Sequence, residues 1–196
     1  MCTTKKSTKR QVQALQTKRK IYDVLCGLMK EKNFENITIE EICRTSGISV
    51  GTFYHYFSSK EDIHQKLFKQ MEEALYQDLT NMEPEENVYK AILKFFGYTA
   101  QYTMKLELHI HYLNHFNNKI FSNRPSLIYE QLHLIISKGQ KEKEITNDMN
   151  ADEITDYLFI IARGIVLDWC IQNGQYSLES KMHTYMKLIM KSLQMK

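Results

Sequence analysis

Residues 38–60, TIEEICRTSGISVGTFYHYFSSK, constrain the fold more than any other stretch of this chain. Thr38 has the side chain of a helix N-cap, and Glu41 three residues later completes a capping box. Ile39, Ile42 and Cys43 then form a short apolar stripe at helical spacing. Gly47 supplies a residue that tolerates positive φ, where the chain must turn sharply. Ile48 plugs the corner, Ser49 caps again, and Val50 to Phe57 reads as a second helix. Ser58-Ser59-Lys60-Glu61 reads as one more capping box, so a third helix starts at once. Short helix, glycine turn, short helix is the helix-turn-helix pattern, whose second helix enters the major groove of DNA.

The faces of that second helix separate by size. Phe53 and Phe57 are four apart and large, so they point inward. Val50, Gly51, Thr52 and His55 are left nearer the groove, with Ser49 at the start of the helix. Gly51 removes a side chain where a helix must approach DNA closely. Val50 and the Thr52 methyl suit thymine methyls, and the Thr52 hydroxyl and His55 suit base edges or phosphates. Tyr54, Tyr56 and Lys60 flank this face and suit phosphate contacts; the alternative for each tyrosine is core packing with only the hydroxyl exposed.

Charge is distributed in the same sense. Residues 1–60 hold 11 Lys/Arg against 5 Asp/Glu, a balance of +6, whereas residues 61–196 hold 15 against 18. A basic end on a mildly acidic remainder suits phosphate attraction at one end only. Lys5, Lys6, Lys9, Arg10, Lys18, Arg19 and Lys20 fall within the first twenty residues, which contain no acid. Residues 1–14 are expected to be a flexible basic arm that follows the DNA backbone, reaches a minor groove, or is simply disordered. Ile21, Val24, Leu25, Leu28 and Met29 then make an amphipathic helix, with Phe34 and Ile37 closing the corner beneath the motif.

At these residues the chain resembles a known family. The run from Thr38 to Ile63 is similar to the DNA-binding head of the TetR (tetracycline-repressor) family of bacterial transcription regulators. The most specific part is Gly47-Ile48-Ser49, then Gly51-Thr52-Phe53-Tyr54, the pair Tyr56-Phe57, and Lys60. By position, the resemblance implies that Thr38, Val50, Gly51, Thr52, Tyr54, His55, Tyr56 and Lys60 contact DNA, Lys60 at a backbone phosphate. It also implies a dimer that represses promoters until a small ligand binds the C-terminal domain. The domains expected are the arm 1–14, a DNA-binding head 15–75, and a ligand-binding and dimerisation domain 76–196.

The rest of the chain is read as helical. Two prolines, seven glycines and a 43% hydrophobic content favour an all-α protein of about nine helices. Apolar spacing and caps predict a long helix from Ser59 to about Met82, then helices over 85–104, 125–140, 151–172 and 178–194, with a short segment between Leu106 and Phe116. Leu158, Ile161, Ala162, Ile165, Val166, Trp169 and Cys170 form a stripe that one small domain would leave partly uncovered, so the last two helices are expected to join two copies. The alternative is that both complete a monomer core. Arg163 to Cys170, with Asn173-Gly174 and Tyr176, also resembles C-terminal segments of one TetR subgroup.

A ligand pocket is expected from the aromatic stretch Tyr98 to Phe116. Phe95, Tyr98, Tyr102, His109, Tyr112, Phe116 and Trp169 are its candidate lining, for an aromatic or lipophilic effector. His111 and His115 have metal-compatible spacing, but no neighbouring acid or cysteine completes a site, and no cofactor is expected. A helical haem or metal sensor, and a nucleoid factor with a protein partner, are the alternatives. No P-loop, dinucleotide fingerprint, nucleophile elbow or HExxH is present, so an enzyme is not expected. Cys26, Cys43 and Cys170 sit at apolar helical positions as reduced thiols, and no run reaches about 18 apolar residues, so a cytoplasmic protein without a membrane span is expected.

Overall fold

The computed structural model describes residues 8–105 and 126–193. Its elements are α1 (Lys9–Glu31), a 3-10 turn (Phe34–Asn36), α2 (Ile39–Ser46), α3 (Val50–Tyr56), α4 (Lys60–Thr80), α5 (Val88–Lys105), α6 (Leu127–Lys141), α7 (Ala151–Ile171) and α8 (Leu178–Leu193). The all-α class stands. His109, Tyr112 and Phe116, with His111 and His115, lie outside the described residues. The chain divides into two compact units, Met1–Phe68 and Lys69–Lys196, with the division inside α4.

In the first unit, α1 begins at Lys9, earlier than a flexible arm over residues 1–14 would allow. The Gln11 N–H donates to Thr8 Oγ1 at 3.3 Å while Thr8 N–H donates to Gln11 Oε1 at 2.8 Å, a reciprocal capping box. Residues 9–20 are rich in Lys, Arg, Gln, Ala and Leu, which propagate a helix without an apolar face to announce it. Beyond them Ile21, Leu25, Cys26 and Met29 turn one face inward and meet Phe34, Ile37, Ile42, Cys43, Phe53, Phe57 and Ile63, all buried. At Thr38 only half of the expected box forms. Thr38 Oγ1 accepts the Glu41 N–H at 3.2 Å, but the Glu41 carboxylate turns to Lys32 and ties the end of α1 to the start of α2.

In the second unit, α5 packs on α6 and α8, and α7 packs on α6 and α8. Ile92, Phe95, Phe96, Leu132, Ile136, Leu158, Met182 and Met186 are buried at its centre. Helix α5 starts at Val88, later than Pro84 suggested, because two acceptors collect there. Asn87 Oδ1 accepts the Lys90 N–H at 2.9 Å, and the Glu144 carboxylate accepts the Val88 N–H at 2.8 Å. The Asn150–Glu153 box forms in both directions and opens α7. Ser177 caps α8 through the Ser180 N–H.

Most of the α7 stripe expected to remain partly uncovered is inside the unit, with Ile161 half-buried. Leu158, Ala162, Ile165, Val166, Trp169 and Cys170 are all buried by the chain's own helices. A different α7 face is exposed, formed by Tyr157, Ile160, Leu167 and Ile171, the last three at least half exposed. Cys26, Cys43 and Cys170 are buried free thiols, and burial pushes the Cys26 thiol up to about 12 and the Cys170 thiol up to about 11. No helix among the described residues is long and apolar enough to cross a membrane.

Candidate nucleic-acid interface

The turn between α2 and α3 is built on Gly47, which has φ 65° and ψ 38°. Its N–H reaches Arg44 O at 3.3 Å, and the Ile48 N–H reaches Cys43 O at 3.0 Å, closing the last turn of α2. Ser46, fully buried, donates its hydroxyl to Ile42 O at 2.6 Å and so needs no solvent. Ser49 Oγ then accepts the Thr52 N–H at 3.0 Å and starts α3.

Helix α3 presents two unlike faces. Phe53 and Phe57 are buried, with ring centroids 5.9 Å apart. Val50 is 40% exposed and Tyr54 56%; Gly51 and His55 are also exposed. A β-carbon on Gly51 would meet only Ser49 Oγ, at an ordinary 3.8 Å, so nothing within the chain demands glycine there. Thr52 is half-buried and its hydroxyl is shared with that of Ser49 at 2.8 Å. Tyr56 is half-buried, its ring edge-on to His55 with centroids 4.9 Å apart. Thr38 is exposed at the head of α2. Thus Val50, Gly51, Tyr54 and His55 form an exposed surface, with Ser49 and Thr52 at one end of it.

Lys60 makes its contacts within the chain. Its Nζ donates to the carbonyl oxygens of Phe34 at 2.6 Å, Ile37 at 2.9 Å and Glu35 at 3.2 Å, and lies 4.5 Å from the centre of the Phe34 ring. The cap of α4 also differs in detail: Ser59 Oγ accepts the N–H of Asp62, and Asp62 rather than Glu61 returns a carboxylate, to the Ser58 N–H at 2.7 Å. Burial pushes the Asp62 carboxyl up, yet hydrogen bonds from Lys66 and Ser58 outweigh it and hold the group below the usual carboxylate range.

Two further cations stand beside the motif. Lys18 Nζ lies 5.9 Å from the centre of the Tyr56 ring, and Lys20 Nζ would be 3.7 Å from a β-carbon on Gly47. Their charge was visible in the sequence; their place beside α3 depends on α1 being helical that far back.

Four of the expected pocket residues, Phe95, Tyr98, Tyr102 and Trp169, lie among the described residues. Phe95 is fully buried against Phe96 and Phe159, and Trp169 is buried with its indole N–H donating to Tyr176 O at 2.9 Å. Tyr102 donates its hydroxyl to Asp78 at 2.6 Å. Tyr98 lines a cleft of about 810 Å³ with Glu85, Lys94, Gln101 and Glu179. No group of three His, Cys, Asp or Glu side chains that could hold a metal occurs among the described residues.

Residues 21–67 match the model of the bacterial regulatory proteins, tetR family. Over 83 residues the chain is 29% identical to the nucleoid occlusion factor SlmA of Haemophilus ducreyi, a stretch that is 42% of this chain and 41% of that protein. Over 63 residues it is 33% identical to the HTH-type transcriptional regulator UidR of Escherichia coli, 32% of each chain. The similarity therefore spans well under half the length of these relatives. The fatty acid degradation regulator FadR from Bacillus halodurans superposes with a TM-score of 0.74 at 14% identity, over 98% of this chain and 100% of that one. At that identity the likeness is one of fold. Residues 21–67 therefore match the tetR-family DNA-binding head, and almost the whole chain shares its helical fold with that structure.

Proposed function

We propose that the chain is a DNA-binding transcription regulator of the cytoplasm, acting as a homodimer that represses from a palindromic operator and is released by a lipophilic small molecule. The observation that carries DNA binding is the split of α3 into a buried Phe53/Phe57 face and an exposed Val50, Gly51, Tyr54 and His55 face, directly after a Gly47 turn. Such a helix offers apolar contacts, a hydroxyl and an imidazole to base edges, with Thr52 at its start. Thr38, Ser49 and Tyr56 complete the proposed contact set around it. Lys18 and Lys20 add charge on its flank.

The dimer reading rests on α7. That helix is apolar on its buried side and again on its exposed side, at Ile160, Leu167 and Ile171, while α8 adds Tyr185 and Leu188. A helix apolar all round is normally covered. A second copy covers it by two-fold symmetry and supplies the second head that a palindrome requires. The effector class rests on the aromatic interior of the second unit, where Tyr129 and Phe159 stack with centroids 5.7 Å apart beside Phe95 and Phe96, and on the fold shared with a fatty acid degradation regulator.

Selection of bound DNA from a random pool tests this reading. A palindromic consensus, bound by the purified chain and released by one of a panel of fatty acids, their thioesters or aromatic acids, is the expected result. No enriched sequence would refute it. The similarity to SlmA favours one other reading, a nucleoid-associated factor whose partner is a protein; an enriched site bound equally with and without every small molecule would support that reading.

A further inference from the structure

We infer that the seam between α5 and α8 carries a binding site for an acidic amphiphile, a phosphate or carboxylate head on an apolar body. Two adjoining clefts run along that seam and share Lys90, Leu93 and His183. In the larger one the charges answer each other: Lys94 pairs with Glu85 at 2.5 Å, and Gln101 donates to Glu179 at 3.0 Å. The smaller one, of about 660 Å³, is unbalanced. Lys90, Lys143 and Lys187 line it against the carboxylate of Glu144, which already accepts the Val88 N–H at 2.8 Å. Lys90 pairs with Glu86, outside the cleft. No carboxylate among the described residues lies within ion-pairing distance of Lys143 or Lys187.

The backbone points the same way. Lys143 has φ 62°, the left-handed region in which an L side chain is strained. It stands just past α6, where its own N–H reaches Gln140 O at 3.1 Å and the Glu144 N–H reaches Gly139 O at 2.8 Å. That pattern ends a helix most easily with glycine; here the position holds a lysine that lines the cleft. Beside the cations the lining is apolar, with Val88, Met190 and Leu193 buried and Leu93 half-buried. Unpaired ammonium groups next to apolar surface suit a molecule with an anionic head and a hydrocarbon body, and the volume fits one of modest size. Lys143 and Lys187 hold the head; Leu93 and Met190 face the body. None of Phe95, Phe96, Tyr129 and Phe159, on which the effector class rests, lines this cleft.

Isothermal titration of the full chain with octyl phosphate and with octanoate tests the site, inorganic phosphate and octanol serving as head and body alone. Stoichiometric binding of at least one amphiphile is expected, about tenfold or more tighter than either fragment, and the tighter of the two names the head. Lys143→Gly and Lys187→Gln should each weaken it about three- to fivefold, the size of an exposed charge contact. Lys191→Gln, at an exposed lysine of α8 outside the cleft, should leave it unchanged. Lys143→Gly should also raise the melting temperature by roughly 2–4 °C, because glycine relieves the backbone, so its weaker binding is not a damaged fold. Binding of neither amphiphile, or equal binding by the parent, Lys143→Gly and Lys187→Gln, would overturn the site. A loss as large in Lys191→Gln would reduce it to general charge attraction and overturn it too. No DNA is present in this titration, so its failure leaves the reading of the head untouched.

Discussion

A β-carbon placed on Gly139 would stand 2.6 Å from Cγ2 of Val88, so α6 meets the first residue of α5 at a point where only glycine fits. Gly139 is buried, and its carbonyl also accepts the Glu144 N–H at 2.8 Å in the turn that brings the Glu144 carboxylate to cap α5. Gly139→Ala is therefore expected to destabilise the chain by about 1–3 kcal/mol, as over-packing does. Val88→Ala in the same chain should recover part of that loss. Denaturant melts of the two single variants and the double variant check the coupling; purely additive losses would contradict it.

Gly51 is the opposite kind of glycine. A β-carbon there would meet Ser49 Oγ at an ordinary 3.8 Å, so Gly51→Ala should leave stability unchanged or raise it by up to about 1 kcal/mol. If α3 enters the groove, the added methyl stands between helix and DNA and binding falls tenfold or more. Equal binding by parent and variant, measured alongside a thermal melt, would remove Gly51 from the interface.

Base reading and backbone contact should separate within α3. Val50→Ala and His55→Ala are expected to change which sequences are enriched in selection, with losses of roughly 1–3 kcal/mol at particular positions. Tyr54→Ala should weaken binding evenly across sequences. A Tyr54 variant with a new consensus would reverse the assignment of roles. Phe53→Ala, by contrast, should cost about 3–5 kcal/mol of stability, because the ring is wholly buried.

The exposed face of α7 gives a direct test of assembly. Ile160→Glu with Leu167→Glu puts two charges where a second copy is proposed to pack, and neither side chain belongs to the unit's own core. The variant is expected to sediment as a monomer with its helical content retained. An unchanged dimer would move the interface elsewhere.

Acid should weaken the chain through carboxylates held below their usual range, Glu41, Asp62 and Asp168 among them. The hydrogen bond from Lys32 lowers Glu41, hydrogen bonds from Tyr176 and then Lys181 lower Asp168, and Lys66 with Ser58 lowers Asp62 against its burial. Each has a folded pKa below its unfolded one, so the unfolded state binds more protons as pH falls. Their stabilisation is complete above the ordinary carboxylate range and is lost as pH drops through the depressed values. Melting temperature should be flat near neutrality and decline below about pH 4.5. The combination Glu41→Gln, Asp62→Asn and Asp168→Asn should melt lower at neutral pH and show a shallower decline.

Much of this was legible from residue order alone. The Gly47 turn, the Ser49 cap, the inward Phe53 and Phe57 and the Asn150–Glu153 box are all local, encoded within a few residues of where they act. What the sequence hid depends on distant partners. Glu41 has a local use as a cap and a distant one with Lys32, and the distant one prevails. Lys60 looks like a surface cation until Phe34, far back in the chain, is folded beneath it. Helix α7 is apolar on most sides, so periodicity could not say which face its own neighbours would take. The start of α1 is hard to read from residue order, because a helix with no buried face leaves no periodic trace, only good propensity and one cap.

That early start has a consequence for how the chain would meet DNA. With Thr8 as the cap, Lys9, Arg10, Lys18, Arg19 and Lys20 ride on one helix, each residue advancing about 1.5 Å along its axis. A loose arm would surrender conformational freedom each time it closed on phosphates, on the order of 1–2 kcal/mol per residue fixed. Here that ordering is completed when the head folds, before any nucleic acid arrives. The cations keep fixed spacings, which favours fast and repeatable engagement over an adaptable reach.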